Sequence, residues 1–433
     1  MKKVLIITYY WPPSGGSQVL RWLKFVKYFR EFGWEPVIYT PENPEAPETD
    51  TSNLKDIPEN IEIIKTRIRE PYRVYKIFLG KKKNEKLSTA FLSEDKKGKK
   101  LTGKIALWIR SNFFIPDARR FWIKPSVRYL TDYLKKHPVE AIVTTGPPHS
   151  MHLIGLHLKK KTNISWLADF RDPWTNIDFY KELLLTSVAD KKHHKLEKRV
   201  VTTADCVLTV GNTMTEEFRE LGARKIFTLT NGFDADDLPD GTVTEDEEFS
   251  IVHIGTIPQS RNCDTFWKVL AELIREKKGL KENLRVRLIG RIDNLIMNSF
   301  KNYDLSDYVE IIDYIPHQEA IRLMKQSRVL LLLINNTPNA KGILTNKFFE
   351  YLSVQKPVLA IGPEDGDIAA ILTETNAGDI AGYDNYEKMK QLITDNYYQY
   401  ISGKSERNFL SIDNYSRKNL TGKLAGFLNE MIR

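Results

Sequence analysis

The sequence predicts an α/β protein made of two doubly wound, Rossmann-like halves, each built on a parallel sheet. Three observations predict this fold class. The chain has 433 residues, about three times the commonest size of a single domain. Short β-branched runs alternate with helical stretches along most of the chain, a pattern typical of parallel sheets with helices on both faces. The alternation starts a second time after an acidic stretch near residue 240.

The elements of the first half follow in order from the pattern of apolar residues. A strand at 4–8 leads through a turn rich in Pro and Gly into an amphipathic run at 19–32, whose apolar residues recur at helical spacing. Later strands are predicted where short β-branched runs stand between helical stretches. They lie at 36–39, 61–65, 141–144, 166–169, 207–210 and 227–230.

The second half repeats this order. Strands are predicted at 250–254, 285–289, 309–312, 329–333 and 358–361, with helices at 263–277, 318–325 and 347–353. We expect a first domain at 1–240 with a basic insertion near 79–104, a second domain at 241–414, and a last helix at 415–433 that is a candidate to pack on the first domain. Ligands of such sheets bind at the carboxyl ends of the strands, so a central cleft between the halves is expected.

Composition excludes several classes of protein. Hydrophobic residues make up 41% of the chain and charged residues 28%, a globular balance. Two cysteines, Cys206 and Cys263, are too few for a disulfide framework or a Cys-rich zinc site. The aliphatic run at 4–7 is too short for a signal peptide, and no run approaches the ~18 apolar residues of a membrane span. We therefore expect a cytoplasmic protein.

The charge distribution predicts an anionic partner. Lys and Arg number 65 against 56 Asp and Glu, a formal net charge of +9, which favours phosphorylated ligands or acidic lipid. Nine lysines against three acids fall between residues 79 and 104. They predict a loop that contacts an anionic partner, for which the inner face of the cytoplasmic membrane is a candidate, and a solvated loop is the alternative. Residues 234–248 include five Asp and three Glu and no Lys or Arg, which predicts a solvated linker. No nucleic-acid-binding motif accompanies the charge, so nucleic acid is not an expected partner.

Three loops of the first half carry candidate binding groups directly after predicted strands. Gly15 and Gly16 precede the first helix, where paired glycines let backbone N–H groups approach an anion, although an ordinary turn explains them equally well. A Gly-Pro-Pro turn places His149 at the end of another strand. Arg171 and Asp172 end the next strand, where a structural ion pair is the alternative.

Two segments of the second half favour an anion. The strand that ends in Gly255 leads into a loop carrying Arg261, which could hold a diphosphate through charge-assisted hydrogen bonds. The predicted helix that follows Thr345 and Asn346 has its cap there, a lysine in its first turn and an acid one turn later. A solvent-facing arginine and a capped amphipathic helix are the plainer explanations of the two segments.

The order of these pieces resembles that of the retaining GT-B glycosyltransferases of the family-4 (group 1) type. The resemblance covers nearly the whole chain and includes Lys347-x-x-Glu350-Tyr-Leu, followed by Pro357-Val. Three segments look like a bacterial subgroup linked to surface polysaccharide synthesis. They are Phe-Phe-Ile-Pro-Asp at 113–117, Gly-Pro-Pro-His-Ser at 146–150 and Asp-Phe-Arg-Asp-Pro-Trp at 169–174.

The resemblance implies that 1–240 is the N-terminal acceptor-side domain and 241–414 the C-terminal nucleotide-sugar-binding domain. It also implies roles for named residues. Lys347 would meet a donor phosphate, Glu350 the ribose hydroxyls, and Arg261 the diphosphate. His149 would lie near the reacting sugar or acceptor, and Asp172 would orient Arg171 or an acceptor group. The implied donor-binding set is Gly15, Gly16, Gly255, Arg261, Thr345, Asn346, Lys347 and Glu350.

The implied activity is the transfer of a sugar, with retention, from a nucleotide-diphosphate donor to a hydroxyl of a saccharide or lipid-linked acceptor. Cationic side chains and helix N-termini would stabilise the leaving diphosphate, so no metal and no cofactor are expected. Two alternatives stay open. A GT-B sugar-nucleotide 2-epimerase binds a similar ligand. A non-catalytic nucleotide-binding subunit is suggested by Gly342 and Thr256, which stand where the family has a glutamate and an arginine.

Overall fold

The computed structural model describes residues 1–45, 49–70, 101–239, 241, 243–313, 315–403 and 407–433. Most of the predicted basic insertion at 79–104 lies outside these residues. Within them the chain forms two compact units. The first comprises residues 1–230 and 420–433, and the second comprises residues 231–419. The division at residue 240 into an acceptor-side and a nucleotide-sugar domain, expected from the sequence, stays a prediction.

The first unit contains a sheet of seven described strands, all paired in parallel. The strands are β1 (Lys2–Ile7), β2 (Trp34–Pro41), β3 (Glu62–Thr66), β4 (Ala141–Gly146), β5 (Ser165–Phe170), β6 (Cys206–Thr209) and β7 (Ile226–Thr228). Their order across the sheet is β3-β2-β1-β4-β5-β6-β7. The order reverses between β1 and β4, the switch point at which ligands of doubly wound sheets bind.

Helices cover both faces of this sheet. The described helices before residue 230 are α1 (Ser17–Tyr28), α2 (Leu101–Phe113), α3 (Arg120–Lys136), α4 (Ser150–Thr162), α5 (Ser187–Thr203) and α6 (Asn212–Leu221). Successive side chains of β1 point to opposite faces: Leu5 and Ile7 enter one apolar cluster, and Val4 and Ile6 enter another. Burial on both faces explains why this strand is continuously apolar and does not alternate.

The second unit contains a sheet of six described parallel strands. They are β8 (Phe249–Ile254), β9 (Leu284–Ile289), β10 (Val309–Ile312), β11 (Val329–Leu333), β12 (Val358–Ile361) and β13 (Gly378–Ala381), in the order β10-β9-β8-β11-β12-β13. Leu331 and Leu333 belong to the apolar cluster on one face, and Leu330 and Leu332 to the cluster on the other. The predicted α/β class with two parallel-sheet Rossmann-like units is confirmed.

The helices of the second unit surround its sheet in the same manner. They are α7 (Asp264–Glu276), α8 (Lys278–Asn283), α9 (Asn294–Asn302), α10 (His317–Gln326), α11 (Asn346–Val354), α12 (Asp367–Thr375) and α13 (Tyr386–Ile401). None of the helices in the described residues of either unit is long and apolar enough to cross a membrane.

The last helix, α14 (Arg417–Met431), returns the chain to the first unit. Leu420, Leu424 and Leu428 are buried in the apolar cluster that also contains Val4 and Ile6. Their spacing of four residues places the three side chains on one face of the helix. Residues 420–431 of this helix therefore belong to the first unit and contribute to its core.

The acidic stretch after residue 234 is folded against the second unit, so the solvated linker predicted there is wrong. The Glu245 carboxylate pairs with both Arg328 and Lys356, and Asp246 Oδ2 lies 2.6 Å from an Arg287 guanidinium nitrogen. Arg328 directly precedes β11, and Lys356 lies two residues before β12, so bases distant in sequence converge at one edge of the sheet. Their charge attracts the acids that the sequence alone leaves without partners.

A fully buried ion pair ties the elements of the first unit together. Arg21 on α1 and Asp169 on β5 are both 0% exposed, and Arg21 Nη2 lies 2.9 Å from Asp169 Oδ1. The other carboxylate oxygen accepts hydrogen bonds from Trp22 Nε1 (2.7 Å) and Thr145 Oγ1 (2.8 Å), while Arg21 also donates to the Leu229 carbonyl. Burial alone would raise the pKa of Asp169, but Arg21 and these hydrogen bonds hold that pKa below its usual value.

We expect Asp169→Asn to lower the free energy of unfolding by about 3–5 kcal/mol, because it leaves the Arg21 cation buried without a counter-charge. Urea denaturation at neutral pH measures the change. The matched control is Asp132→Asn, which removes an exposed ion pair with Lys135 and is expected to cost at most about 1 kcal/mol. Equal small losses for the two variants would contradict the role assigned to the buried pair.

Candidate functional site

In the second unit, the sheet brings several of the predicted donor-binding residues together. Gly255 follows β8, Arg261 lies in the loop beyond it, and Lys347 and Glu350 lie on α11. With His253 at the end of β8, these residues form what we call the Lys347 cluster. The carboxyl ends of parallel strands meet at one edge of the sheet, which is why segments about ninety positions apart converge here.

Gly255 provides the space for the lysine. Its φ is +111°, and a Cβ atom at this position would lie 2.8 Å from Lys347 Nζ. Only glycine combines this backbone conformation with such a close approach. Behind it, a Cβ on Gly290 would lie 3.1 Å from the Gly255 carbonyl carbon. The backbone of Gly290 therefore packs against that of Gly255, and Gly255 packs against the ammonium group.

Lys347 is partly shielded from solvent, and a second basic side chain, Arg261, is nearby. Burial, and then the charge of Arg261, lower the pKa of Lys347 well below its ordinary value, while Glu350 acts in the opposite direction. Among the described residues no carboxylate forms an ion pair with it. An anion bound here would offset both costs, so the electrostatics of the cluster favour a negatively charged ligand.

Two hydrogen bonds orient Arg261. Its Nε donates to Asn335 Oδ1 (2.6 Å), and Nη1 donates to the Thr256 carbonyl (2.9 Å). Asn335 lies two residues after β11, and its backbone carbonyl accepts a hydrogen bond from the Tyr383 hydroxyl. The guanidinium is thus held in place from the loops after β8 and β11. Sequence reasoning did not single out Asn335, because nothing in its neighbourhood indicates that it faces Arg261.

Helix α11 is fixed against the sheet by Tyr351, whose hydroxyl accepts from the Ile254 backbone N–H (3.0 Å). One residue earlier, the Glu350 carboxylate lies 3.2 Å from His317 Nε2 at the start of α10. The Glu350 side chain is 28% exposed, so it can also accept hydrogen bonds from a ligand. A carboxylate with two oxygens suits a pair of neighbouring hydroxyl groups.

The N-terminus of α11 has no side-chain cap. Thr345 occupies the cap position without making a capping hydrogen bond, and its Oγ1 is buried without a hydrogen-bond partner in the described part of the chain. Asn346 is the first residue of the helix. The first turn of a helix carries N–H groups and partial positive charge, so this end of α11 adds to the preference for an anion.

In the first unit, the predicted Gly-Gly loop lies at the start of α1. Gly16 has φ +90° and occupies the N-cap position without a side-chain cap, and Gly15 precedes it. A Cβ at Gly16 would lie 2.7 Å from Gln18 Oε1. The loop leaves the end of β1, beside the switch point of the sheet, where an exposed helix N-terminus can receive an anion.

His149 is buried at the start of α4. It is 9% exposed, and its ring stacks on Trp174 with the centroids 4.7 Å apart and the planes at 2°. Its Nδ1 is buried without a hydrogen-bond partner among the described residues. Burial, and then the charges of His152, His193 and Arg171, lower the pKa of His149 well below its usual value. The ring is therefore neutral at physiological pH.

A second histidine, which sequence reasoning missed, lies one turn further along α4. His152 is fully buried, its Nδ1 lies 2.9 Å from Thr144 Oγ1, and burial lowers its pKa to about 3. A Cβ on Gly146 would lie 2.5 Å from His152 Nε2 and 3.1 Å from His149 Nδ1. The Gly-Pro-Pro turn thus packs its glycine against both rings. The spacing of the two histidines was the available signal.

Asp117, which the resemblance covered only as part of a motif, holds the start of α4. Its two carboxylate oxygens accept from the Ser150 backbone N–H (2.9 Å) and hydroxyl (2.8 Å).

Arg171 Nη1 donates to the Gln18 carbonyl and Nη2 to the Pro147 carbonyl, at 2.8 and 2.9 Å. Arg171 therefore joins the loops that follow β1, β4 and β5.

The structure separates Asp172 from this tight network. Its Oδ2 lies 3.8 Å from Arg171 Nε, and its side chain is 47% exposed. The pairing expected from the sequence is thus loose, and the carboxylate is open to solvent. No three His, Cys, Asp or Glu side chains of the described ranges are grouped as ligands of a metal ion.

No protein-family model matches the chain, and no curated protein matches it. Solved structures match over almost its full length. Sucrose-phosphate synthase from Thermosynechococcus elongatus is 12% identical with a TM-score of 0.58, covering 100% of this chain and 96% of that chain. The lipopolysaccharide outer core galactosyltransferase WaaB is 13% identical with a TM-score of 0.58, covering 99% of each chain.

A UDP-N-acetylglucosamine 2-epimerase is also similar, at 12% identity and a TM-score of 0.54, with 99% of this chain and 95% of that chain covered. Likeness at these identities establishes the fold. The chain has the GT-B fold of the glycosyltransferases, a fold that it also shares with the epimerase.

Proposed function

We propose that the protein is a retaining, hexosyltransferase-like enzyme that transfers a sugar from a nucleoside diphosphate to a hydroxyl of a saccharide or lipid-linked acceptor. The single observation that carries the proposal is the Lys347 cluster, in which two cations converge at the carboxyl edge of a GT-B sheet. The resemblance of the sequence to the bacterial subgroup supports a place in cell-surface polysaccharide or glycolipid synthesis, in the cytoplasm.

The donor contacts are assigned from the positions of the side chains. Lys347 and the N-terminus of α11, at Thr345 and Asn346, would receive one phosphate, and Arg261 the other. Glu350 would accept hydrogen bonds from the ribose hydroxyls. As the bond between the sugar and the diphosphate breaks, negative charge grows on the leaving oxygen, and preorganised cations stabilise that charge.

The first unit would supply the acceptor side. His149 is neutral and buried, so it can exchange a hydrogen bond with a sugar hydroxyl without adding charge. Gly15 and Gly16, at the start of α1, would offer backbone N–H groups to the donor and not to the acceptor. Arg171 holds three loops in register, and the exposed carboxylate of Asp172 is free to contact an acceptor hydroxyl.

A sugar-nucleotide 2-epimerase is the second candidate, because a solved epimerase shares the fold. Incubation with UDP-N-acetylglucosamine in the absence of any acceptor distinguishes the two. Isomerised sugar nucleotide would identify an epimerase, and transfer that requires an acceptor would identify a glycosyltransferase. Nucleotide binding without either reaction would indicate a non-catalytic subunit, as Gly342 and Thr256 suggest.

Glu350→Gln is expected to weaken the binding of the cognate nucleoside diphosphate by roughly 5- to 150-fold, the usual range for losing charged hydrogen bonds to a ligand. Titration calorimetry with UDP, GDP and ADP measures the affinity. Glu319→Gln, on the exposed face of the neighbouring helix α10, is the control and should bind as the wild type does. Equal affinities for all three proteins would remove Glu350 from the site.

Transfer is expected to be independent of divalent metal, because Lys347 and Arg261 provide the positive charge that a metal ion otherwise supplies to a diphosphate. Initial rates in EDTA and in Mn²⁺ should agree within about twofold, a spread well below the 10²- to 10³-fold cost of losing a transition-state contact. Activity that EDTA abolishes and Mn²⁺ restores would contradict this expectation.

We also propose that the first unit binds an anionic membrane surface that carries the acceptor. Helix α2 exposes Trp108 (41%), Phe113 (60%) and Ile105 (46%), and the lysine-rich segment at 79–104 precedes and overlaps its start. Aromatic side chains enter the headgroup region, and each base near an anionic surface contributes about 1 kcal/mol.

Vesicles containing phosphatidylserine are expected to co-sediment the wild-type protein at low salt and to release it at high salt, because salt screens the lysines. Replacing the lysines of 81–104 by Gln, or Trp108 and Phe113 by Ser, should reduce sedimentation at low salt. Ile401→Ser, at a 55% exposed apolar position of the second unit, is the control. Wild-type protein that stays in the supernatant at low salt would exclude the membrane proposal.

A further inference from the structure

We infer that His253 is a positioning residue for Lys347, whose ammonium it holds over Gly255 in the orientation needed to receive a phosphate. His253 Nε2 lies 3.2 Å from Lys347 Nζ. The inference rests on the proposed function for the identity of the anion, whereas the contact between the two side chains can be tested without any nucleotide.

The second hydrogen bond of the imidazole determines which nitrogen can accept. His253 Nδ1 lies 2.9 Å from the Leu331 carbonyl oxygen. A carbonyl oxygen can only accept, so Nδ1 carries the proton and donates. Nε2 of the neutral ring is then left as an acceptor, and it lies within hydrogen-bond distance of the ammonium group, next to the Gly255 backbone that the ring also contacts. The hydrogen bond to Leu331 on the adjacent strand β11 therefore determines which ring nitrogen of His253 can accept a hydrogen bond from Lys347.

Burial makes this orientation rigid. His253 is 0% exposed at the end of β8, between neighbouring strands of the sheet. On the other side of the ammonium, Gly255 leaves no room for any side chain larger than hydrogen. Lys347 Nζ is therefore confined between an imidazole nitrogen and bare backbone. A flexible four-carbon side chain thus becomes a fixed donor, which reduces the entropy that ligand binding would otherwise cost.

The charges around the pair explain why a neutral acceptor is present and not a carboxylate. Arg261 faces Lys347 and repels it, while Glu350, one turn along α11, attracts it. Burial, and then Lys347 itself, keep the pKa of His253 well below its usual value, so the ring stays neutral at physiological pH. A neutral acceptor orients the ammonium without neutralising it, and the positive charge is left for the ligand.

Two isosteric variants separate positioning from a merely structural role. His253→Asn places an amide N–H near the position of Nδ1, so it can keep the bond to Leu331 but loses the acceptor for Lys347. His253→Gln reaches the position of Nε2, so it can keep the acceptor but loses the bond to Leu331. Thermal melting and far-UV circular dichroism report whether each variant is folded.

The first readout is nucleotide affinity, measured by calorimetry with UDP, GDP and ADP. We expect His253→Asn to weaken the binding of the nucleotide preferred by the wild type about tenfold, the value of one charge-assisted hydrogen bond. His253→Gln should stay within about threefold of the wild type. The opposite result, in which His253→Asn keeps the wild-type affinity and His253→Gln loses it, would overturn the inference. It would show that binding depends on the hydrogen bond to Leu331.

The second readout needs no nucleotide. Acetylation of Lys347 by acetic anhydride, followed across pH by mass spectrometry, reports the pKa and accessibility of its amine, with the 89% exposed Lys278 as internal reference. We expect the labelling midpoint of His253→Asn to rise towards that of Lys278, because the released ammonium turns to solvent. His253→Gln should keep the wild-type midpoint. Identical midpoints for wild type and His253→Asn would overturn the inference even if nucleotides bind.

The two readouts fail independently. Wild-type protein that binds no nucleoside diphosphate would contradict the proposed function, yet the labelling profiles would still decide whether His253 positions Lys347. Normal nucleotide binding with unchanged labelling profiles would leave the proposed function intact and remove His253 from it.

Discussion

The confinement of the Lys347 ammonium is the constraint on which the arrangement of the second unit depends. A Cβ on Gly255 would meet Lys347 Nζ, and a Cβ on Gly290 would meet the backbone of Gly255, so the position of one partly buried amine depends on two glycines that follow adjacent strands. His253 supplies the lone pair on the remaining side. The edge of the sheet is thereby shaped around a positive charge that the protein itself does not neutralise.

The two units surround a basic side chain in opposite ways. In the first unit Arg21 is paired with Asp169, and both are fully buried, so the charge is balanced within the fold. In the second unit Lys347 faces Arg261 and a neutral imidazole. Burying an unpaired charge costs several kcal/mol. Lys347 is partly buried and forms no ion pair with a carboxylate among the described residues, which is why we propose an anionic ligand there and a structural role for the pair in the first unit.

Much of this could be predicted from the sequence, because local patterns specify local structure. The continuous apolar runs predicted the central strands, including 329–333 within its observed bounds. Strand β13 was missed because Gly378 and Asp379 break the apolar pattern. The structure requires glycine at the first of these positions, since a Cβ on Gly378 would lie 2.0 Å from the Val358 carbonyl oxygen. Side-chain partners over long separations, such as His253 with Lys347, follow from the order of the strands, which periodicity does not contain. The acids near residue 245 were misjudged for the same reason.

The central claim is that the Lys347 ammonium receives the diphosphate of the donor. Calorimetry of UDP binding in buffers of different ionisation enthalpy, at mildly alkaline pH where UDP itself is fully ionised, tests it most directly by counting the protons taken up. Because the pKa of Lys347 is lowered in the free protein, a bound diphosphate should raise it again. We expect net proton uptake when UDP binds to the wild type, and we expect Lys347→Met to lose this uptake. The same uptake in both proteins, or none in either, would contradict it.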